Sequence, residues 1–339
     1  MRILALLLSL FLSLCAASAW AITDDEIDAL ASKAARGSSQ AGNEVERLAK
    51  DGNVLAQHYM GLMHLRGRGA VENEGKALEW FLLAAKQGHA PSQHNAAVIY
   101  EYSKEDRKDL SEARRWYQAA ADQGYAPSQA NLGLMLIYGK GGKFDDHEGR
   151  RWLEKAAAQK NAPAQYQLGV LYLEGRGGLE KNDAKGVELV RAGAQGGDPE
   201  AQYKMALLQG TGSSGVELSD ANAVAWLRKS ADQRYGPAEF LMATVYRKGL
   251  YGVKSDDKEA LRWLRRAAVH GHPPAEYALG IAYSEGNGVE ASPREALGWL
   301  NRAAKHGYGP AVQVVRQFEA KMKEARENAS KEGPKEGTK

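Results

Sequence analysis

A register of Ala-Gln…Gly…Tyr…Gly…Lys-Ala…Trp…Ala-Ala…Gly returns along most of this chain. Its copies open at Ala56, Ser92, Ser128, Ala164, Ala201, Ala238 and Ala275, with an eighth opening at Ala311. Successive openings are 36 or 37 residues apart. A fixed period of that length marks stacked supersecondary units, each burying its apolar face against two neighbours. The periodicity therefore settles the architecture before any single residue is read, and says much less about chemistry.

Each unit reads as two antiparallel helices. In the fourth copy Ala164, Leu168, Gly169 and Tyr172 lie on one helical stripe, and Ala184, Val187, Val190 and Ala194 form a second after a break. The break is a glycine turn, Gly175-Arg-Gly-Gly178, with counterparts at 67–69, 139–142, 210–215 and 286–288. Second helices end near Gly88, Gly124, Gly197, Gly271 and Gly307, and a proline such as Pro91 or Pro127 opens the next first helix. Six of the seven tryptophans occupy one position in the second helix, with Leu189 there in the fourth copy, and small pairs such as Ala84-Ala85 follow. The shared stripe predicts core packing for these tryptophans and for Tyr100, Tyr172, Tyr246 and Tyr283.

The pattern Ala-Gln-Tyr-x-Leu-Gly-x-x-Tyr-x-x-Gly-x-Gly…Lys-Ala-x-x-Trp-x-x-Ala-Ala resembles the Sel-one-like repeat family, relatives of the tetratricopeptide repeats. The resemblance covers residues from about 40 to 315. The second copy departs from it, with a charged turn at 103–109 lacking both glycines. The resemblance implies an all-α, right-handed superhelical α-solenoid of helix pairs used as a scaffold or adaptor, and carries no family-wide catalytic residue.

The first 21 residues stand outside the repeats. One basic residue, Arg2, precedes an uncharged apolar run to Leu14, and Ala17-Ser-Ala19-Trp-Ala21 offers cleavage-compatible small residues. This reads as a secretory signal peptide, with a retained anchor or lipid attachment at Cys15 as the lesser readings. Its removal would take away the only cysteine and leave a net charge of +2 from the full chain's +3. That charge is too small for a general nucleic-acid or membrane-surface footprint. The domain expectation is a signal peptide at 1–21, an N-terminal cap at 22–55, seven repeats at 56–310, a capping helix at 311–328 and a disordered tail at 329–339. In the cap, Thr23 and Glu26 have capping-box spacing.

Catalytic chemistry is not legible. Residues 210–215 spell Gly-x-Gly-x-x-Gly, yet they lie between helices, where a dinucleotide site needs a strand before it. His58 and His94, one repeat apart, and the pair His270 and His272 read as exposed or cap histidines, with no acidic companion evident for the latter. No metal, cofactor or catalytic residue is expected. The functional lead is the third-position column, where Tyr166, Tyr203, Phe240 and Tyr277 fall in four successive repeats. Glu174, Arg247, Lys248 and Glu285 add mixed charge nearby. By analogy with tetratricopeptide helices this position lines a concave face, and aromatic anchors beside arginine suit a protein or peptide partner. The same rings could instead pack between adjacent first helices. The reading is a non-enzymatic exported scaffold, in the periplasm or the medium, that regulates an envelope, secretion or signalling system. A secreted effector acting on host proteins is the alternative, ahead of a hydrolase or antibiotic-binding protein. No nucleic-acid partner and no stable membrane insertion after signal cleavage are expected.

Overall fold

The computed structural model describes residues 22–103 and 107–331. The expected signal peptide, residues 104–106 of the charged turn and the tail from residue 332 lie outside them. The described residues form seventeen α-helices and one short 3-10 turn, with no strand. None of these helices is long and apolar enough to cross a membrane. The chain divides into two compact units between Ala156 and Ala157.

The first unit opens with α1 (Asp24–Ala35) and α2 (Ser39–Lys50). The expected capping box is present: Glu26 N–H donates to Thr23 Oγ1, and Thr23 N–H donates back to Glu26 Oε2 at 2.9 Å. The helix pairs α3 (Val54–Arg66) and α4 (Glu74–Lys86), α5 (Ala90–Tyr102) and α6 (Leu110–Asp122), and α7 (Ala126–Ile137) and α8 (Asp146–Ala158) follow, the unit boundary falling in the last turn of α8. The second unit holds α9 (Ala162–Glu174) and α10 (Asp183–Gln195), then α11 (Pro199–Thr211) and α12 (Asp220–Asp232). It continues with α13 (Gly236–Lys248) and α14 (Asp257–Val269), α15 (Pro273–Glu285) and α16 (Pro293–Lys305), and closes with α17 (Gly309–Lys331). The closing helix runs to Lys331, three residues past the expected end at 328. The stretch 210–215 ends α11 and makes the 3-10 turn before α12, with no strand ahead of it.

Small residues set the approach of the two helices in a pair. A Cβ on Gly169 of α9 would meet the Gly186 carbonyl at 2.8 Å and Val190, while one on Gly186 of α10 would meet Leu173 at 2.6 Å. Partners run 169 to 190 and 173 to 186, so the pair is antiparallel. Where first helices end, Gly249 is typical: its left-handed φ of +65° closes α13, with its N–H donating to Val245 O.

The tryptophan column packs on the core as its sequence reading expects, but to unequal depth. Trp116, Trp152 and Trp263 are buried, but Trp80, Trp226 and Trp299 are only half-buried. Lys229 Nζ lies 4.4 Å above the Trp226 ring and the Arg302 guanidinium 4.5 Å above Trp299. In the first five repeats the fully enclosed position is one residue later, held by Phe81, Tyr117, Leu153, Val190 and Leu227. An indole is large enough that one edge stays at the surface while the next side chain turns wholly inward. The tyrosines Tyr100, Tyr172, Tyr246 and Tyr283 are likewise half-buried.

Two histidines also depart from expectation. His58 and His94 are largely enclosed near the N-termini of their helices, hydrogen-bonded through Nδ1 to Ser92 Oγ at 2.8 Å and Ser128 Oγ at 2.9 Å, each serine in the following repeat. Burial pushes both imidazoles down to about 4. Their position faces the next repeat rather than solvent.

Buried amides join repeat to repeat. Gln93 Nε2 donates to Ala85 O at 3.1 Å while its Oε1 accepts from Gln123 at 2.7 Å. Gln57 with Gln87 and Gln202 with Gln233 repeat this arrangement, each pair at 2.9 Å. At the far end, charge terminates the stack. Arg316 of α17 is exposed at a position where the full repeats carry glycine or alanine, and Glu319 is exposed one turn further on. Phe318, at a position buried in the seven full repeats, is 45 % exposed.

Candidate peptide-binding groove

In the second unit the aromatic column is built from ring pairs. Tyr203 meets Tyr235 with centroids 5.7 Å apart, Phe240 meets His272 at 5.3 Å, and Tyr277 meets Tyr308 at 5.3 Å. Each partner precedes the next first helix. Tyr235 and His272 are the N-cap residues of α13 and α15 and make no side-chain cap hydrogen bond, whereas Asn161 and Asp198 cap α9 and α11 through their side chains. A cap is worth about 1 kcal/mol and an edge or tilted ring pair about as much, so the exchange is close to neutral. Burial raises the Tyr203 hydroxyl and pushes that of Tyr235 up to about 12, while it lowers the His272 imidazole. The rings are half-buried. They pair with the following N-cap rather than stacking on one another.

Between α13 and α15, with α14 as floor, lies a groove of about 510 Å³. Phe240 and Tyr277 stand at one end, Arg247, Asp257 and Glu285 at the other, and Ala243, Leu261, Leu264, Ile281 and Ala282 line the apolar middle. Its volume falls in the range of ligand-sized clefts. The sequence explains where it opens. Seven places into each repeat stand Met63, Ile99, Met135, Leu171, Leu208 and Val245, but Ala282 in the seventh copy. Arg247 likewise holds a place that is Leu65, Ile137 or Leu173 elsewhere.

The structure thus brings together Phe240, Tyr277, Arg247 and Glu285 from the sequence-derived set and leaves the others apart. Tyr166 packs against the Val187 and Val190 cluster two repeats away. Tyr203 serves the preceding repeat junction, Glu174 pairs with Arg176 at 3.3 Å, and Lys248 is exposed at the end of α13 without lining the groove. Asp257, Leu261, Leu264 and Ala282 were missed. The signal for Ala282 was the loss of bulk in its column.

The groove walls are fixed from beneath by two buried carboxylates. Glu239 and Glu276, beside Phe240 and Tyr277, stand where the other repeats carry glutamine, buried at 57, 93, 129 and 202, and are both fully enclosed. Arg266 Nε donates to Glu239 Oε1 at 3.0 Å, and His270 Nδ1 lies 2.7 Å from Oε2. Arg302 Nη2 approaches Glu276 Oε1 at 3.1 Å, close enough for an ion pair but too oblique for a hydrogen bond, and His306 Nδ1 lies 2.7 Å from Oε2. The acidic companion of His270 is therefore Glu239, 31 residues earlier, which no local spacing could reveal. Arg266 and Arg302 also lie over Trp263 and Trp299, so each clamp ties a first helix to the following second helix. Among the described residues no group of three His, Cys, Asp or Glu is arranged to hold a metal.

Comparison with known families matches the Sel1 repeat over residues 54–89, 90–125, 126–161, 162–198, 199–235, 236–272 and 273–308. The chain belongs to the Sel1 repeat family. A Sel1 repeat protein from Oxalobacter formigenes is 29 % identical, with a TM-score of 0.58 over 87 % of this chain and 86 % of that one. A protective antigen present in uropathogenic Escherichia coli strains, displaying an SLR fold, is 26 % identical with a TM-score of 0.56. That match covers 88 % of this chain, which spans only 65 % of the antigen's length. Yeast Tom70, 13 % identical, shares the fold with a TM-score of 0.50 over 88 % of this chain and 60 % of its own. No protein of curated function matches the chain.

Proposed function

We propose that this Sel1 repeat protein is an exported, non-enzymatic scaffold that holds a segment of another protein in the groove between α13 and α15, and acts in the periplasm as a regulator of an envelope, secretion or signalling system. The observation that carries the reading is the groove itself: an apolar channel with aromatic rings at one end and charged side chains at the other, opened where the repeat sequence gives up bulk at Ala282. Aromatic and arginine anchors dominate the energetics of such surfaces. Export rests on the basic, apolar and small-residue pattern of residues 1–21, and similarity to a protective antigen of E. coli is in keeping with it.

The test is in-cell photocrosslinking from a probe amino acid at position 277, with a matching probe at Leu83 on α4 of the first unit as control, combined with fractionation. A discrete adduct formed at 277 alone, in the periplasmic fraction, is the expected result. Equal labelling from both positions would remove the groove as the binding face, and accumulation in the medium would replace the periplasmic reading with secretion.

A further inference from the structure

The lining of the groove also specifies its occupant. Its long axis runs from the Phe240 and Tyr277 rings to Arg247, Asp257 and Glu285, so an incoming chain meets apolar surface at one end and charge at the other. The three charged groups come from three helices: Arg247 from the last turn of α13, Asp257 from the first turn of α14, and Glu285 from the last residue of α15. Arg247 and Asp257 form no ion pair with any described residue, and the Glu285 carboxylate accepts only from Asn287 Nδ2, at 2.7 Å. Among the lining side chains, two carboxylates stand against one guanidinium, an excess of one negative charge. In the middle, Ala243, Ala278 and Ala282 leave room for an aliphatic side chain against Leu261, Leu264 and Ile281.

From this we infer that the groove takes a peptide segment carrying a bulky aliphatic residue with a lysine or arginine close by in sequence, the aliphatic side chain lying over Ala282 and the cation between Asp257 and Glu285. The inference rests on the groove being the binding face and adds the chemistry of what it binds. Charge complementarity sets the sign, because a cation pairs with both carboxylates while an acid would meet Arg247 alone and be repelled by two like charges. The chain's own last residues do not fit, since 332–339 contain no leucine, isoleucine, valine or methionine.

Synthetic twelve-residue peptides provide the test. One carries a central Leu-Leu flanked by lysines, a second the same core flanked by glutamates, and a third the lysines with the leucines changed to serine. Each is titrated by fluorescence anisotropy against the chain from residue 22 onward, at low salt and at 0.5 M NaCl. The lysine-flanked leucine peptide is expected to bind at least tenfold more tightly than either of the others. That advantage over the glutamate peptide should shrink at least threefold at high salt, because these charges are solvent-accessible.

Two variants locate the effect. Asp257→Asn with Glu285→Gln changes exposed groups and should abolish the preference between lysine and glutamate peptides while leaving the melting temperature unchanged. Ala282→Leu restores the bulk of the other repeats and should block the leucine peptide without lowering helicity. Equal or inverted preference for the glutamate peptide overturns the inference, as does binding of no peptide, or Ala282→Leu binding the leucine peptide like the parent. If position 277 still crosslinks a partner in cells while these peptides fail, the binding face stands and only the assigned chemistry falls.

Discussion

Replacing Glu239 by glutamine tests how the second unit uses a buried charge where other repeats use an amide. The carboxylate is fully enclosed, accepts from Arg266 at 3.0 Å and has His270 Nδ1 at 2.7 Å. Losing one member of a buried ion pair costs about 3–5 kcal/mol because the other charge is left without compensation. Here the Arg266 side chain is 35 % exposed and can re-enter water, which discounts the loss to about 2 kcal/mol. A further cost is geometric: the amide nitrogen that Glu239→Gln introduces would compete with Arg266 Nη2 for Ala231 O, now 3.1 Å from the guanidinium. Adding His270→Gln should recover most of the stability. The two introduced amides would then reproduce the pair made by Gln202 and Gln233, which bond at 2.9 Å while Gln202 also donates to a carbonyl at 3.1 Å. Replacing both partners by a matched neutral pair is near neutral where removing one is not. Urea unfolding of the two single variants and the double, followed by circular dichroism, gives the coupling directly. We expect the double variant to lie about 1 kcal/mol or more above the sum of the singles; additivity within error would refute the view that Glu239 and His270 substitute as a unit for the amide pair.

Acid should loosen the first unit before the carboxylates titrate. His58 and His94 are pushed down to about 4 by burial, so the unfolded chain takes up their protons from about pH 6.5 downward while the fold resists until about pH 4. Their stabilisation is complete above that window, is lost as pH falls through it, and amounts to at most about 3 kcal/mol per residue; hydrogen exchange over residues 54–125 between pH 7 and 4.5 should show the loss, and the His58→Asn and His94→Asn double variant should flatten it. Gly169→Ala should destabilise the second unit by about 1–3 kcal/mol, because its Cβ would sit 2.8 Å from the Gly186 carbonyl, on backbone that cannot step aside. An unchanged urea midpoint would show that α9 and α10 are not held at this spacing.

The helices, their order and their caps were legible because the repeat states each of them several times over. Thr23 and Glu26 announce the first helix by themselves, and the small residue followed by glutamine or glutamate that opens each copy marks where a first helix packs on its predecessor. The groove was half legible. Phe240, Tyr277, Arg247 and Glu285 were found because they share columns, but the same columns nominated Tyr166, Tyr203, Glu174 and Lys248, which the structure sets elsewhere. A column gives the direction of a side chain and not whether space remains beside it. The His270–Glu239 contact was hidden for a different reason: it joins residues in successive helices, and only packing brings them within 2.7 Å.

In this repeat protein the positions that agree with the register hold the stack together, and several of those that break it gather around the groove between α13 and α15. Glutamine at the second position satisfies a backbone carbonyl and a neighbouring amide, so glutamate there would leave a buried charge uncompensated unless its surroundings changed as well. In the sixth and seventh copies they did, with Arg266 and His270 meeting Glu239, and Arg302 and His306 meeting Glu276. These are also the copies in which Ala282 removes bulk and Arg247 stands where three other repeats carry an aliphatic residue. Opening a groove between two first helices takes away packing that would otherwise fix them. A charged clamp beneath each wall supplies directional contacts in its place, through Arg266 to α13 and through Arg302 to α15. Clamp and groove then form one device, and the prediction for Glu239→Gln reaches beyond stability: with α13 less firmly held, affinity for the lysine-flanked leucine peptide should fall, and His270→Gln should restore part of it. Restored stability without restored affinity would separate the two and leave the clamp a purely structural substitution.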